Sequence, residues 1–285
     1  MDRPFLPEKR RRSRGLLMSG VLFLGIIAGG APGLAAREAD GENKLDRAFL
    51  GRFTRDFAAV ITSPARWTRR DLLTLAAVSG TGLLIMAFDQ DIQDWAQTRH
   101  SESSDQASSF FTQFGNGAVL VGLSAAVYAA GAVGHNDGWR KTALLSLESL
   151  ATASFIVWTT KVIAGRARPY TGESSGSFHP FSLENSFWSL PSGHAAAAFS
   201  VATAIALQSK SAFVDLAAYS LATMVGFARI HDDKHWASDV FIGSALGYFV
   251  AKKIARLNRP GEKPSVSWGF QSSRGRRALS LNIAF

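Results

Sequence analysis

Apolar residues along the chain gather into six long runs, at Leu72–Phe88, Gly117–Gly134, Ala143–Gly165, Ala195–Leu207, Ala212–Ile230 and Ala237–Ile254. Each approaches the roughly 17 to 20 residues that a helix needs to cross a bilayer, although the fourth is short. All are rich in Ala, Gly, Ser and Thr, which suits close helix–helix contact and leaves each run only weakly hydrophobic. The pattern predicts an all-α protein: a six-helix bundle over residues 71–256, read as transmembrane. Buried helices of a soluble bundle would produce a similar pattern and form the alternative.

The flanks differ in texture. Lys9–Arg14 is a basic stretch before the apolar run Leu16–Ala28, and Gly33-Leu34-Ala35 resembles a small-residue cleavage site before Ala36. Residues 1–36 therefore read as a signal peptide or, alternatively, an uncleaved N-terminal anchor. Over residues 37–70, Phe49, Phe53 and Phe57 recur every four residues, with Arg52, Arg55 and Asp56 assigned to other faces. That describes an amphipathic surface helix, broken at Ser63-Pro64. In the C-terminal tail, residues 257–285, the segments Ser265–Phe270 and Ala278–Phe285 alternate apolar and polar positions around Ser272–Arg277, a short β-like hairpin pattern.

Charge refines this picture. The formal net charge is +9, and the chain has no cysteine, which excludes disulfides and thiolate metal ligands. The cations cluster at the N-terminus, before Asp71 and in the tail, rather than along one interleaved face. Membrane orientation and anionic lipid headgroups explain that distribution better than nucleic acid, which is not expected as a partner. By the positive-inside rule, Arg66–Arg70, Arg140–Lys141, Lys210 and Lys252–Lys263 face the cytoplasm, and the connections Asp89–Phe114 and Ile230–Trp236 face outward. One conflict stands: export and cleavage of the N-terminal segment would start Arg37–Arg70 outside, and the first core helix would then run against the charge pattern. Either that segment does not place its C-terminal end outside, or the six helices do not all span and the mature protein is a periplasmic or peripheral bundle.

Candidate chemistry sits at the helix ends. Lys161 lies near the end of the third run, and Arg168 follows seven residues later, directly before Pro169. Both side chains can project from one face there, or simply mark a membrane boundary. Pro191-Ser192-Gly193-His194 opens the fourth run. A helix start presents backbone N–H groups to an anion, Ser192 adds a hydroxyl, and Gly193 permits close approach; capping alone would explain Ser192 but not His194. Arg229 ends the fifth run, and His235 and Asp239 open the sixth at a four-residue spacing. Asp239 can then accept the N–H of one ring nitrogen and leave the other free as a nucleophile. All seven polar residues fall at the same end of the expected helices.

Lys161 through Arg168-Pro169, then Pro191-Ser192-Gly193-His194, then Arg229 through His235 and Asp239 resemble the three-part signature of the type 2 phosphatidic acid phosphatase (PAP2) family, whose site is shared with class A acid phosphatases and vanadium haloperoxidases. The resemblance implies that His235 attacks phosphorus to form a phosphohistidine, oriented by Asp239, and that His194 protonates the leaving alkoxide. It implies that Lys161, Arg168, Ser192, Gly193 and Arg229 hold the phosphoryl oxygens, with no metal and no cofactor required. The chain departs from the family pattern at Ala228, where a Ser usually precedes the Arg, and so lacks one hydrogen-bond donor.

Other polar residues carry less. His231 with Asp232 and Asp233 reads as a solvated acidic loop, because no further ligands sit at metal-binding spacing. His179 lies in the Tyr170–Leu190 loop beside Phe178, Phe181, Phe187 and Trp188, a loop long enough to cover the site. Glu148, within the third run, calls for an internal partner that the sequence does not reveal. The expected activity is hydrolysis of a membrane lipid phosphate monoester or diphosphate, with the site facing the periplasm or exterior of a bacterial inner membrane. The alternatives are a soluble acid phosphatase, a vanadate-dependent haloperoxidase and a non-catalytic lipid-phosphate-binding protein.

Overall fold

A computed structural model describes residues 43–259, 266–273 and 276–283. Among these residues the chain forms nine α-helices: α1 (Arg47–Ile61), α2 (Arg69–Met86), α3 (Asp89–Gln97), α4 (Glu102–Phe111), α5 (Gly117–Val133), α6 (Asp137–Ala164), α7 (Gly193–Gln208), α8 (Ala212–His231) and α9 (Ala237–Leu257). Strands β1 (Val266–Ser273) and β2 (Arg276–Ile283) pair antiparallel, with Val266 opposite Ile283. The signal-like segment and its cleavage site lie outside the described residues.

All six apolar runs are helices, α2 and α5 to α9. The helix count is larger than six because Asp89–Phe114, read from sequence as a connection, folds into α3, α4 and a 3-10 turn at Thr112–Gly115. Local signals account for these short helices. Asp89 and Asp91 occupy the first turn of α3, where carboxylates complement the helix dipole, and Ser101 with Ser104 forms a reciprocal cap on α4.

The expectation of six spans also changes. By length and composition, α6 and α8 can each cross a membrane, and the number rises to four if the bent pairs α2 with α3 (54°) and Glu102–Gly115 with α5 (61°) each count as one span. Helix α7 has 16 residues, about 24 Å at 1.5 Å per residue, which is short of a hydrocarbon core of roughly 30 Å. Large apolar side chains nevertheless point outward, among them Leu73, Leu83 and Leu84 on α2 and Phe213 and Leu216 on α8. Water does not favour such a surface, and a lipid environment does.

Helix α7 is the axis of the bundle and packs against α6, α8 and α9. Its Ala-rich surface allows this, with ten residues buried on several faces. Helix α9 crosses it most closely at Gly243 and Gly247, where a Cβ would run into the carbonyls of Ser192 and Ala196. Two apolar clusters flank the axis. One runs through Leu120, Val127, Val201 and Val225, and the other through Val60, Leu145, Ala204 and Ile254.

Helix α1 corrects one assignment. Phe49, Asp56 and Val60 are its buried residues, at intervals of seven and four, so Asp56 lies on the packed stripe and not on a solvent face. Asn258 donates a 2.9 Å hydrogen bond to its Oδ2. Glu148 of α6, whose partner the sequence did not reveal, interacts with Asp56 and, through charge, with Arg52 and Arg55 of α1. Phe57 of the same helix packs edge-on against Phe155 of α6, with ring centroids 5.1 Å apart.

Candidate active site

The site is assembled where α6 stops. Gly165 caps the helix with a left-handed backbone (φ 61°), and its N–H donates to the Lys161 carbonyl at 2.8 Å. A side chain at Gly165 would collide with the backbone of His179, whose N–H donates to the Gly165 carbonyl at 2.7 Å. The loop leading to α7 is therefore stitched to the helix end. Further backbone bonds run from Ala167 to Ser177, Arg168 to Ser186 and Ser189 to Arg166.

Arg166, which sequence reasoning passed over in favour of Arg168, is the centre of this loop. It is 1% exposed, and its Nη1 donates to Asp239 Oδ1 at 2.6 Å and to Ser238 Oγ at 2.8 Å. Its Nη2 donates to Asp89 Oδ2 at 2.8 Å, and both Nε and Nη2 reach the Ser175 carbonyl. Asp89 in turn accepts the Ser238 N–H and hydroxyl. The planar fork of one guanidinium thus bridges two buried carboxylates, tying the start of α3 to the start of α9. The sequence signal was the Arg166-Ala-Arg168-Pro169 pair of arginines after a capping glycine, only one of which was read as functional.

Asp239 is consequently fully engaged. Besides Arg166, its carboxylate accepts from Ser189 Oγ and from the Trp236 N–H at 3.0 Å. His235 Nδ1 faces the same carboxylate at 3.8 Å, beyond hydrogen-bond distance, and is buried without a hydrogen-bond partner. The expected His–Asp hydrogen bond is therefore an alignment and not a bond in this state, because other donors occupy the carboxylate's lone pairs.

The predicted cations converge around that imidazole. Lys161, in the last turn of α6, donates to the carbonyls of Trp188 and Ser189. Arg168 holds Asn185 through two 2.9 Å bonds, to its carbonyl and its Oδ1. Arg229, in the last turn of α8, donates to the Thr112 hydroxyl and, at 2.9 Å, to Asp232 Oδ2. Among these contacts only Asp232 offers Arg229 a negative charge, and Lys161 and Arg168 are held by neutral acceptors. Burial first, then Lys161, Arg168, Arg229 and His194, push the His235 imidazole well below its ordinary pKa and keep it neutral.

Helix α7 starts inside this group. Ser192 is its N-cap and accepts from the Ala195 N–H at 3.4 Å, and the Ser192 N–H is taken by the Asp239 carbonyl at 2.9 Å. Gly193 and His194 form the first turn, whose N–H groups have no intrahelical acceptor. A Cβ on Gly193 would lie 3.9 Å from Lys161 Cε, so the helix start and this lysine adjoin. The Gly115 Cα lies so close to His194 that a Cβ there would come within 2.8 Å of the histidine Cβ, which holds the imidazole's root against the 3-10 turn carrying Thr112.

A buried imidazole, three basic side chains and a helix N-terminus lie together, an arrangement whose charge can attract an oxyanion. Residues 142–260 match the family model of the PAP2 superfamily. A lipid A 1-phosphatase from Porphyromonas gingivalis is 32% identical over 241 residues, covering 78% of this chain and 49% of the relative. The chain thus spans about half the length of that curated relative. Among solved structures, Aquifex aeolicus LpxE aligns with a TM-score of 0.48 and 19% identity over 59% of this chain and 94% of its own. The transmembrane PAP2-type phosphatidylglycerolphosphate phosphatase from Bacillus subtilis aligns with a TM-score of 0.49 and 22% identity, covering 75% of this chain and 98% of its own.

Proposed function

We propose that this protein is a phosphatase that hydrolyses a lipid phosphate monoester or diphosphate through a phosphohistidine on His235. The observation that carries the reading is the neutral, buried imidazole of His235 ringed by Lys161, Arg168 and Arg229. The PAP2 match over residues 142–260 and the likeness to a lipid A 1-phosphatase support a phosphorylated lipid as substrate.

In the first step the lone pair of Nε2, the ring nitrogen turned away from Asp239, forms a bond to phosphorus. The P–O bond to the lipid breaks, and the leaving oxygen takes a proton from His194. Burial and then Arg229, Lys161 and Arg168 push the pKa of that imidazole down to about 3, so the negative charge of the bound phosphate must raise it for the ring to carry the proton. As charge grows on the three equatorial oxygens, Lys161, Arg168, Arg229, the Ser192 hydroxyl and the N–H groups of Gly193 and His194 stabilise it. The His235 ring becomes cationic in the phosphoenzyme, and Asp239, 3.8 Å away, offsets that charge and fixes the ring plane. Water then attacks phosphorus, His194 takes its proton back, and the N–P bond breaks to release phosphate. No metal ion takes part in either transfer, because the protein's own cations supply the charge.

The site faces the periplasm or exterior of a bacterial inner membrane, with Arg140, Lys141 and Lys210 on the cytoplasmic side. The outward apolar side chains of α2 and α8 favour a lipid substrate over soluble phosphomonoesters. Phosphate release by the purified protein from lipid A, phosphatidylglycerol phosphate, phosphatidate and undecaprenyl diphosphate, against a soluble aryl phosphate, tests this reading. Higher kcat/KM on a lipid supports it; equal or better turnover of the soluble ester would replace it with an acid phosphatase. Trapping acid-labile, base-stable phosphate on His235 tests the intermediate.

A further inference from the structure

His231 is the last residue of α8, and its Nε2 lies 2.9 Å from Oδ1 of Asp105 on α4. The Nδ1 of His100, in the turn before α4, lies 2.8 Å from the same oxygen. The two imidazoles stack with centroids 3.9 Å apart and planes inclined by 19°. The three potential ligand atoms lie within 4.8 Å of one another. His231 and Asp105 are 126 residues apart, so no spacing rule applied along the chain could pair them.

We propose that His100, Asp105 and His231 form a binding site for a transition-metal dication of the zinc type, separate from the phosphate site. Two imidazole nitrogens and one carboxylate oxygen are a ligand set suited to Zn²⁺ and not to Mg²⁺ or Ca²⁺, which take oxygen ligands. At Zn–N and Zn–O distances of about 2.0–2.1 Å, tetrahedral ligands stand about 3.3 Å apart. The observed separations of 2.8 and 2.9 Å are hydrogen-bond contacts to one carboxylate oxygen; because an ion must lie in the plane of each imidazole, binding requires the two stacked rings to rotate out of their stack until their nitrogen lone pairs converge. Asp105 has 55% of its side chain exposed and His100 37%, so an ion can enter from solvent, and water can take the fourth position.

The ion would clamp elements that already meet at the end of α8. Helix α4 reaches that end through Ser108, whose hydroxyl contacts Asp232 and the Ala228 carbonyl, and α3 reaches it through Gln93, which bonds Asp233 at 2.6 Å. Arg229 sits two residues before His231 and is paired to Asp232. A metal here therefore stiffens the mount of a phosphate-site arginine without entering the reaction.

The test is Zn²⁺ binding to the full chain in detergent after chelator treatment, followed by calorimetry, for the wild type and for Asp105→Asn and His100→Gln. The proposal expects the wild type to take up one more equivalent than either variant at micromolar free Zn²⁺, with Mg²⁺ failing to compete. Zn²⁺ should also raise the melting temperature of the wild type and not of the variants, whose metal-free melting temperatures match it. Co²⁺ should give the intense visible bands of a four-coordinate site in the wild type alone. Equal Zn²⁺ uptake by all three proteins, or no uptake and no cobalt bands in the wild type, overturns the proposal. His235→Ala should bind Zn²⁺ normally, which separates failure here from failure of the phosphatase reading.

Discussion

Two clusters of charge sit side by side at one end of this bundle and are built on opposite principles. Around Arg166, every polar group has a partner: two buried carboxylates, the Ser238 hydroxyl and a backbone carbonyl accept from one guanidinium, and negative charge is in slight excess. Around His235, charge is in surplus: three cations share a single nearby carboxylate, Asp232, beyond the Asp239 that Arg166 already neutralises. The difference teaches which part is frame and which part is working surface. A buried charge without a partner is costly, so the first cluster holds position, and the unmatched cations of the second favour an incoming polyanion.

The largest expected effect tests the working cluster. His235→Ala should lower phosphate release by about 10⁴-fold or more while the protein still folds, since removal of a nucleophile commonly costs that much. Full retained activity, measured as single-turnover phosphate release, would make the surplus charge a binding pocket only.

Next in size is a direct contrast between two arginines two residues apart. Arg166→Ala leaves Asp89 and Asp239 buried without their partner and should cost roughly 3–5 kcal/mol of stability, read as a lower thermal midpoint in detergent. Arg168→Ala removes bonds to neutral acceptors, Asn185 and the Lys234 carbonyl. It should leave the midpoint nearly unchanged and lower kcat by about 10²–10³-fold. If the two variants behave alike, the division into frame and working surface fails.

A smaller effect appears with pH. The depressed pKa of His235 keeps the ring neutral in the folded protein below the ordinary value of 6.5. The unfolded chain takes up a proton near 6.5 and the folded one does not until lower pH, so this residue's contribution to stability is lost as pH falls below 6.5. The melting temperature of the wild type should fall relative to that of His235→Ala between pH 7.5 and pH 5, and parallel shifts would refute a neutral buried ring. The smallest effect is that of Ala228→Ser, which restores the hydroxyl usual in the family. It adds one donor next to Arg229 and should change kcat/KM by less than about tenfold.

The helices themselves were legible. All six apolar runs fold as helices, because a long apolar run has few other ways to satisfy its backbone, and the cap signal at Ser192 marks a true start. Helices α3 and α4 were missed because they are short and polar, with no apolar period to read. Asp56 was misplaced for a related reason: a carboxylate on a packed stripe is rare, so chemistry outweighed the seven-residue interval from Phe49.

The sequence by itself determined the helical segments, the order of the three polar motifs and the end of the bundle where they gather, because helix ends and helical spacing are local properties. Only the tertiary structure decided which groups touch. It placed Arg166 between Asp89 and Asp239, separated His235 from a hydrogen bond with Asp239, matched Glu148 to Asp56, and brought His100 and Asp105 to His231. These pairings join residues far apart in the sequence, 126 positions for His231 and Asp105, and they follow from how α3 and α4 pack against α8, α3 against α9 and α1 against α6, which no local pattern encodes.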